Sequence, residues 1–444
     1  MKTNETGKTT RREFVKQSSL IAGGLMAAPL MSNAGYFNSV DDTIKVAVIG
    51  CGGRGTGAAM QALLTKQNVK LVAMADAFRD RLDECYKALT SDDNEEGNVK
   101  AKVTVTDASK FVGFDAYLKA IPLADVIILT TPPGFRPIHF AEAIKQGKHV
   151  FMEKPVATDP AGIKKVLETA AIAKQKKLNV VVGLQRHYQN SYRELYKRVQ
   201  DGMIGEITSG QVWWNNDGVW VNPRKTGQTE MEYQMRNWYY FNWLCGDHIN
   251  EQHIHNIDVM NWFKGSYPVK AQGMGGRQVR TGKEFGEIYD HHYVEFEYAD
   301  GSIMNSQCRH IKGTYAKVDE MLVGTKGVVK CGDAQILSKG TSLYQFDKKT
   351  ENNPYQTEHD ELFAAIAKGE YKFADADNGA KSTMTALVGR MATYSGEVIE
   401  FDKALNSGIS IMPVKFAWDA NPPTLPDANG FYPIATPGVT KYFS

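Results

Sequence analysis

A short apolar run ending in a glycine turn constrains this chain more than any other feature. Residues 44–55 read Ile-Lys-Val-Ala-Val-Ile-Gly-Cys-Gly-Gly-Arg-Gly. The pattern predicts a buried parallel strand entering a G-x-G-x-x-G turn made by Gly50, Gly52 and Gly55, with Gly53 and Arg54 between them. The first glycine permits the tight turn, the second lets the backbone approach a pyrophosphate, and the third lets the next helix pack against the strand. That helix aims its free N–H groups and positive dipole end at the phosphates. A second apolar run, Val69 to Ala75, ends in Asp76, 26 residues after Gly50. A carboxylate there accepts hydrogen bonds from a ribose. Strand, turn, helix, strand and acid together predict a dinucleotide site. A glycine turn in another kind of α/β protein would not need the acid.

The length of 444 residues suggests two domains, and 42% hydrophobic with 23% charged residues is ordinary for a globular protein. The N-terminus stands apart. Thr10-Arg11-Arg12-Glu13-Phe14-Val15-Lys16 precedes an apolar stretch from Leu20 to Met31 and then Ser32-Asn33-Ala34. A charged start, a short apolar core and a small-residue end predict an export signal over residues 1–34, and the paired arginines resemble a twin-arginine signal. The expected location is the periplasm. Without residues 1–34 the chain keeps 47 basic and 48 acidic residues, which gives no reason to expect nucleic acid or an anionic membrane as partner. No interior run is apolar and long enough to predict a membrane span. Cys51, Cys85, Cys245, Cys308 and Cys331 are widely spaced and form no C-x-x-C, so they predict buried thiols rather than a zinc or dithiol site.

Residues 44–157 alternate apolar runs with amphipathic stretches, the pattern of a doubly wound parallel sheet with helices on both faces. From Ile207 the texture changes to short alternating runs, with Asp300-Gly301 as a hairpin turn between Tyr293–Tyr298 and Ser302–Cys308. These predict a second α/β domain over residues 158–400 with a mostly antiparallel sheet. The aromatic stretch from Trp213 to Trp243 predicts loops over the site, and residues 401–444 an extended tail. One continuous helix is expected from Asp247 to Phe263.

Three constellations carry chemistry. Glu153-Lys154-Pro155 sits where a strand of the first domain ends, and open α/β sheets bind ligands beyond those ends. A lysine there can stabilise a developing alkoxide and relay a proton. The second lies on the expected helix, which places His248, Glu251, Gln252 and His255 on one face. Glu251 can orient the His255 imidazole, and Asp258 can steady it from the next turn. The same spacing permits a metal held by His248, Glu251 and His255, although the favoured reading has no metal. The third is Arg186-His187-Tyr188 after the Val180–Gly183 strand, a candidate substrate contact.

With these residues in hand, the chain resembles the Gfo/Idh/MocA oxidoreductase family. Thr131-Pro132-Pro133, His139, Gly147-Lys148-His149-Val150 and Glu153-Lys154-Pro155-Val156-Ala157 follow that family's order and spacing, and the likeness spans about residues 44–400. The resemblance implies a Rossmann domain, a C-terminal α/β domain with a large open sheet, a homo-oligomer, and NAD or NADP acting on sugars, inositols or related polyols. It implies that Thr131, Pro132, His139 and Glu153 lie at the cofactor, that Lys154 lies near the nicotinamide, and that His255 is the acid–base residue. Glu251 stands where the family has Asp. His248 and Asp258 join the expected substrate contacts.

Export sharpens the expectation, because no dependable nicotinamide pool exists outside the cytoplasm. A tightly bound cofactor must be regenerated in place. One cycle oxidises a sugar or glycoside, favoured at C3, and reduces a second sugar. Another oxidises a glycoside, eliminates the aglycone, adds water and reduces again, giving NAD-dependent glycosidase action. That cycle needs a further base, for which Glu251, His248 or Tyr188 are candidates. Oxidoreduction ranks first, and a sugar-binding protein without turnover ranks last because Lys154, Glu251 and His255 are all present. Asp76 would repel a 2′-phosphate, which favours NAD; Arg79 leaves NADP open.

Overall fold

A computed structural model describes residues 42–93 and 97–443. The expected export signal, residues 1–34, lies outside the described residues.

The first sheet follows from runs of Val, Ile, Leu and Met that are apolar on both faces, as parallel strands covered on two sides must be. Its strands are β1 (Ile44–Ile49), β2 (Val69–Asp76), β3 (Lys110–Val112), β4 (Val126–Leu129), β5 (His149–Met152) and β6 (Val180–Val182), in the order β3-β2-β1-β4-β5-β6. Every neighbouring pair is parallel. The direction of winding reverses between β1 and β4, which opens a crevice above their carboxyl ends. The sheet does not stop at residue 157, where the sequence reading drew the domain boundary. The helix Pro160–Gln175, capped by the Asp159 carboxylate on the Gly162 N–H, is one more crossover and delivers β6 to the sheet edge. β6 matches the strand expected over Val180–Gly183, but the sequence reading had not assigned it to this sheet.

The second sheet has nine strands: β7 (Ile207–Asn216), β8 (Lys270–Gly276), β9 (His291–Glu297), β10 (Ile303–His310), β11 (Lys317–Gly324), β12 (Val328–Lys330), β13 (Gln335–Ser338), β14 (Thr341–Gln345) and β15 (Ile399–Glu400). Their order is β14-β13-β12-β11-β7-β10-β9-β8-β15, antiparallel throughout except for β7 beside β10. Along β9, His292, Val294 and Phe296 point inward and alternate with more exposed neighbours. The helices Ile254–Lys264 and Ala376–Ser395 cover the inward face. Contact is close: a Cβ on Gly389 would stand 2.7 Å from the Phe296 ring.

The aromatic stretch 213–243 only partly forms the loops expected of it. Trp213 and Trp214 lie in β7, Trp243 is wholly buried, and Glu230–Arg236 is a short helix. The single helix expected over 247–263 is two, His248–Glu251 and Ile254–Lys264, broken at Gln252 and His253. Both residues at the break are tied to β10, Gln252 to His310 at 2.7 Å and His253 to Ser306 at 2.7 Å. All five cysteines are buried free thiols. Among the described residues, no helix is long and apolar enough to cross a membrane.

The buried histidines set an acid limit on this fold. Burial, then the Arg136 cation, pushes His139 down to about 3, and burial pushes His253 down to about 3. Unfolded histidine titrates near 6.5. The folded values lie below the unfolded one, so the unfolded chain binds more protons as the pH drops. This part of the stability is complete above pH 6.5 and is lost progressively toward pH 3. Each residue accounts for about 2 kcal/mol between pH 7.5 and pH 5. Urea unfolding at those two pH values should show the midpoint falling at pH 5; an unchanged midpoint would contradict the assignment.

Candidate active site

The glycine turn has the shape that a dinucleotide needs. Gly50 has φ +98°, and a Cβ there would stand 2.5 Å from the Thr131 nitrogen. A Cβ on Gly55 would overlap the Gly50 carbonyl at 1.8 Å, so this glycine lets the helix Gly53–Leu64 approach β1. Gly52 and Gly53 face open space, with nothing within 4 Å of an added Cβ. The Asp76 carboxylate ties the turn to the loop after β2, accepting from the Cys51 N–H at 2.6 Å and the Phe78 N–H at 2.8 Å. A cavity of about 510 Å³ opens here, and Gly50, Gly52, Gly53, Arg54, Asp76, Thr131, Pro132 and His139 all line it. These residues fit a dinucleotide: a glycine cradle at a helix N-terminus for the phosphates and a carboxylate for the ribose. Gly55 and Glu153 serve it indirectly. Glu153 binds Arg54 at 2.5 Å, and Arg54 also reaches Glu358 at 3.3 Å from the helix Pro354–Ala367. Arg79 is exposed and faces Asp83 at 3.7 Å; the arginines that line the cavity are Arg54, Arg81 and Arg236.

Lys154 follows β5, one strand over from Thr131. Its ammonium donates to the Glu251 carbonyl oxygen at 2.7 Å and lies 3.4 Å from the Glu251 carboxylate. The helix break makes this contact possible. In an unbroken helix the Glu251 carbonyl would accept from the His255 N–H, but here that N–H turns to Gln252 at 3.3 Å. Both side chains stay partly open, Lys154 at 12% and Glu251 at 14% exposure.

His255 is 7% exposed, its Nδ1 has no partner, and the Trp214 ring lies roughly parallel at 6.1 Å. Burial first, then the cations Lys154, Arg186 and Arg54, holds its pKa well below the ordinary value. It is therefore a neutral imidazole at physiological pH. The expected partners of His255 are placed otherwise. No hydrogen bond joins it to Glu251, which serves Lys154. Asp258 belongs to His187, whose Nε2 lies 2.7 Å away, and to Asn378 and Ser382. Against burial, Asp258 holds the His187 pKa up.

Two expected substrate contacts are not at the surface of the site. His248 is wholly buried and hydrogen-bonded through Nδ1 to Asp247 at 2.8 Å. Tyr188 packs by Phe373 and donates to Asp375 at 2.7 Å, so it is a core residue. Both followed polar patterns that the packing turned inward. Arg186 remains near the site, ion-paired with the buried Glu320. His248, Glu251 and His255 do not form the shared ligand set that their spacing allowed. Among the described residues, the group close enough to share a cation is Asp247, His248 and His292. The Asp247 oxygens are already engaged there by the His248 N–H and ring, the Tyr289 N–H and the Tyr394 hydroxyl.

Sequence reasoning missed Arg54 as the bridge to Glu358, and Gln252, His310 and Ser306 as the residues that pin the break. Of the residues that line the cofactor cavity from the second domain, Trp220 and Trp238 belong to the aromatic stretch expected over the site, whereas Arg236 joins the missed residues. Short-range patterns hold no signal for them, because their partners lie far away in the chain.

Residues 44–184 match the family model described as "Oxidoreductase family, NAD-binding Rossmann fold", and residues 192–330 match the C-terminal domain of the same family. An inositol 2-dehydrogenase of Serratia proteamaculans is 25% identical over 367 residues, covering 80% of this chain and 96% of that protein. A 2,7-anhydro-N-acetylneuraminate hydratase of Escherichia coli is 25% identical over 211 residues, 47% of this chain and 51% of that one. Among solved structures, an aldose-aldose oxidoreductase from Caulobacter crescentus has a TM-score of 0.62 at 17% identity, covering 81% of this chain and 99% of its own. A scyllo-inositol dehydrogenase from Lactobacillus casei with NAD(H) and scyllo-inositol scores 0.59 at 19% identity, with 81% and 99% covered. The cradle, the acid after β2 and the two matched domains agree: this chain belongs to the Gfo/Idh/MocA family of oxidoreductases, with the family's NAD-binding Rossmann domain.

Proposed function

We propose that this chain is an exported oxidoreductase that moves a hydride between a ring carbon of a sugar, polyol or glycoside, C3 in the favoured case, and a retained nicotinamide dinucleotide. The observation that carries the reading is a Lys154 ammonium fixed on Glu251, near enough to His255 for its charge to disfavour the imidazolium, at the strand next to the one whose loop lines the dinucleotide cavity. The names of the inositol and aldose relatives support the substrate class. The residues 10–34 support export by the twin-arginine route. Asp76 supports NAD over NADP, since a 2′-phosphate would meet its negative charge.

The bound dinucleotide would supply the hydride acceptor and donor. The chain supplies the proton chemistry. The Lys154 ammonium donates to the hydroxyl oxygen of the reacting carbon and stabilises the charge that develops there as the hydride leaves. His255 takes the hydroxyl proton, a task for which a neutral imidazole is suited. Glu251 holds the ammonium in place through its carbonyl oxygen. A second reading is glycoside cleavage by oxidation, elimination and reduction. It is favoured by the partly open Glu251 carboxylate, 3.4 Å from Lys154 and available as a base for the neighbouring carbon.

Purified full-length protein, incubated with inositols and methyl or nitrophenyl glycosides without added NAD and followed by NMR, separates the readings. A keto-sugar that forms only with an acceptor sugar present supports oxidoreduction. Free aglycone with no keto product supports the second reading, and no conversion of any substrate rejects both. Lys154→Ala and His255→Ala should each lower turnover by about 10²- to 10⁴-fold while dinucleotide binding persists. Full turnover by the double variant would overturn the site assignment.

A further inference from the structure

The cofactor cavity has two walls, and they come from different domains. The inner wall is the set of loops beyond β1, β2 and β4. The outer wall is built by Trp220, Asn222, Arg236 and Trp238, which lie between β7 and the His248 helix. Arg236 joins the two. Its guanidinium lies 2.6 Å from the Asp80 carboxylate and stacks 3.7 Å over the Phe78 ring, beside the loop that carries Asp76.

The C-terminal tail crosses the same place. Phe78, Phe114 and Phe135 line the cavity from the loops after β2, β3 and β4. The tail backs all three: Trp418 lies 4.4 Å from Phe114 and 5.0 Å from Phe78, and Phe416 lies 5.3 Å from Phe135. The tail is fastened on both sides of this contact. Before it, the Ile411 N–H donates to Asp159 of the first domain at 2.8 Å. After it, the Thr424 hydroxyl donates to Glu287 at 2.9 Å, and the Thr424 carbonyl accepts from Gln234 at 2.7 Å, both in the second domain. Gln234 in turn accepts from the buried Trp243 indole at 2.8 Å. The strap therefore ties the inner wall to the outer one across the adenosine side of the cavity.

We propose that residues 411–424, with Arg236, form a strap that encloses the dinucleotide, so that it remains bound from one turnover to the next. This rests on the oxidoreductase reading and adds its structural basis. Entry and exit require the Arg236–Asp80 pair to open and Trp418 to leave Phe78 and Phe114. A cosubstrate that exchanged at every turnover would be poorly served by this arrangement, whereas a resident group regenerated in place is served by it.

The test is the dissociation rate of the dinucleotide. Full-length protein loaded with NADH is mixed with excess NAD, and loss of energy transfer from tryptophan to NADH is followed for wild type, Trp418→Ala, Trp418→Phe and Arg236→Gln. Acid release after gel filtration gives the NAD content of each. Wild type should keep its dinucleotide through gel filtration. Trp418→Ala and Arg236→Gln should release it at least about tenfold faster, and Trp418→Phe should restore slow release, since a second aromatic ring keeps the contact. If Trp418→Ala fails to fold, the partly exposed Arg236→Gln carries the test alone. Equal release rates in wild type and the folded variants would overturn the strap while leaving the redox reading intact. Absence of NADH binding to wild type would overturn the redox reading itself.

Discussion

The site depends on one hydrogen bond, from the Lys154 ammonium to the Glu251 carbonyl oxygen. It joins the carboxyl edge of the parallel sheet to the end of a one-turn helix in the second domain. The carbonyl is available because the helix ends there, leaving its last oxygens unsatisfied and carrying the negative end of the helix dipole. A buried carbonyl left without a donor would cost about 1–3 kcal/mol, so lysine and break stabilise each other. The break is itself held from β10, by His310 on Gln252 and Ser306 on His253. A strand of the second sheet thus sets the position of a first-domain ammonium through two side-chain contacts and one carbonyl.

The same junction explains the state of His255. Lys154, Arg186 and Arg54 surround an imidazole that burial already disfavours as a cation. None of these cations is free to leave. Arg186 is held by Glu320, and Arg54 by Glu153 and Glu358. The carboxylates that anchor them come from residues far apart in the chain, which makes the electrostatics of the site a property of the assembled domains. Removing an anchoring carboxylate would leave a partly buried cation unpaired and would disturb more than the contact it made.

The parts of this arrangement that were legible in the sequence are local. The glycine turn, the acid at the end of β2 and the Glu153-Lys154-Pro155 run can each be recognised from a few neighbouring residues, and the structure places all three around one crevice. The antiparallel second sheet was legible from its alternation and from Asp300-Gly301, which joins β9 to β10. The helix break was not. Residues 248–261 are almost wholly buried, so polar and apolar positions lose the periodicity that marks a helix face. Spacing arguments that assumed one helix paired Glu251 with His255 across the break, and Asp258, on the same helix as His255, instead faces His187. His248 and Tyr188 failed for a related reason. A polar side chain with a buried carboxylate partner is as much at home inside as at a surface; Asp375 is 187 residues from Tyr188, and Asp247, though next to His248, gives no sign in sequence that it is buried.

The cavity draws on two stretches of chain, the first 100 or so residues of the parallel sheet and the segment around Trp220 to Trp238, and the tail around Trp418 backs its phenylalanines. Contacts this distant in sequence form late, because closing long loops costs entropy before the contacts repay it. The glycine cradle and Asp76 are held together by local contacts that need no tail residue, the Cys51 and Phe78 N–H groups on the Asp76 carboxylate. Dinucleotide binding to the folded form alone would stabilise it by mass action and favour docking of the tail in turn. For a chain proposed to leave the cytoplasm already folded, a dinucleotide captured where it is abundant would stabilise the fold that is exported, and the proposed strap would retain it.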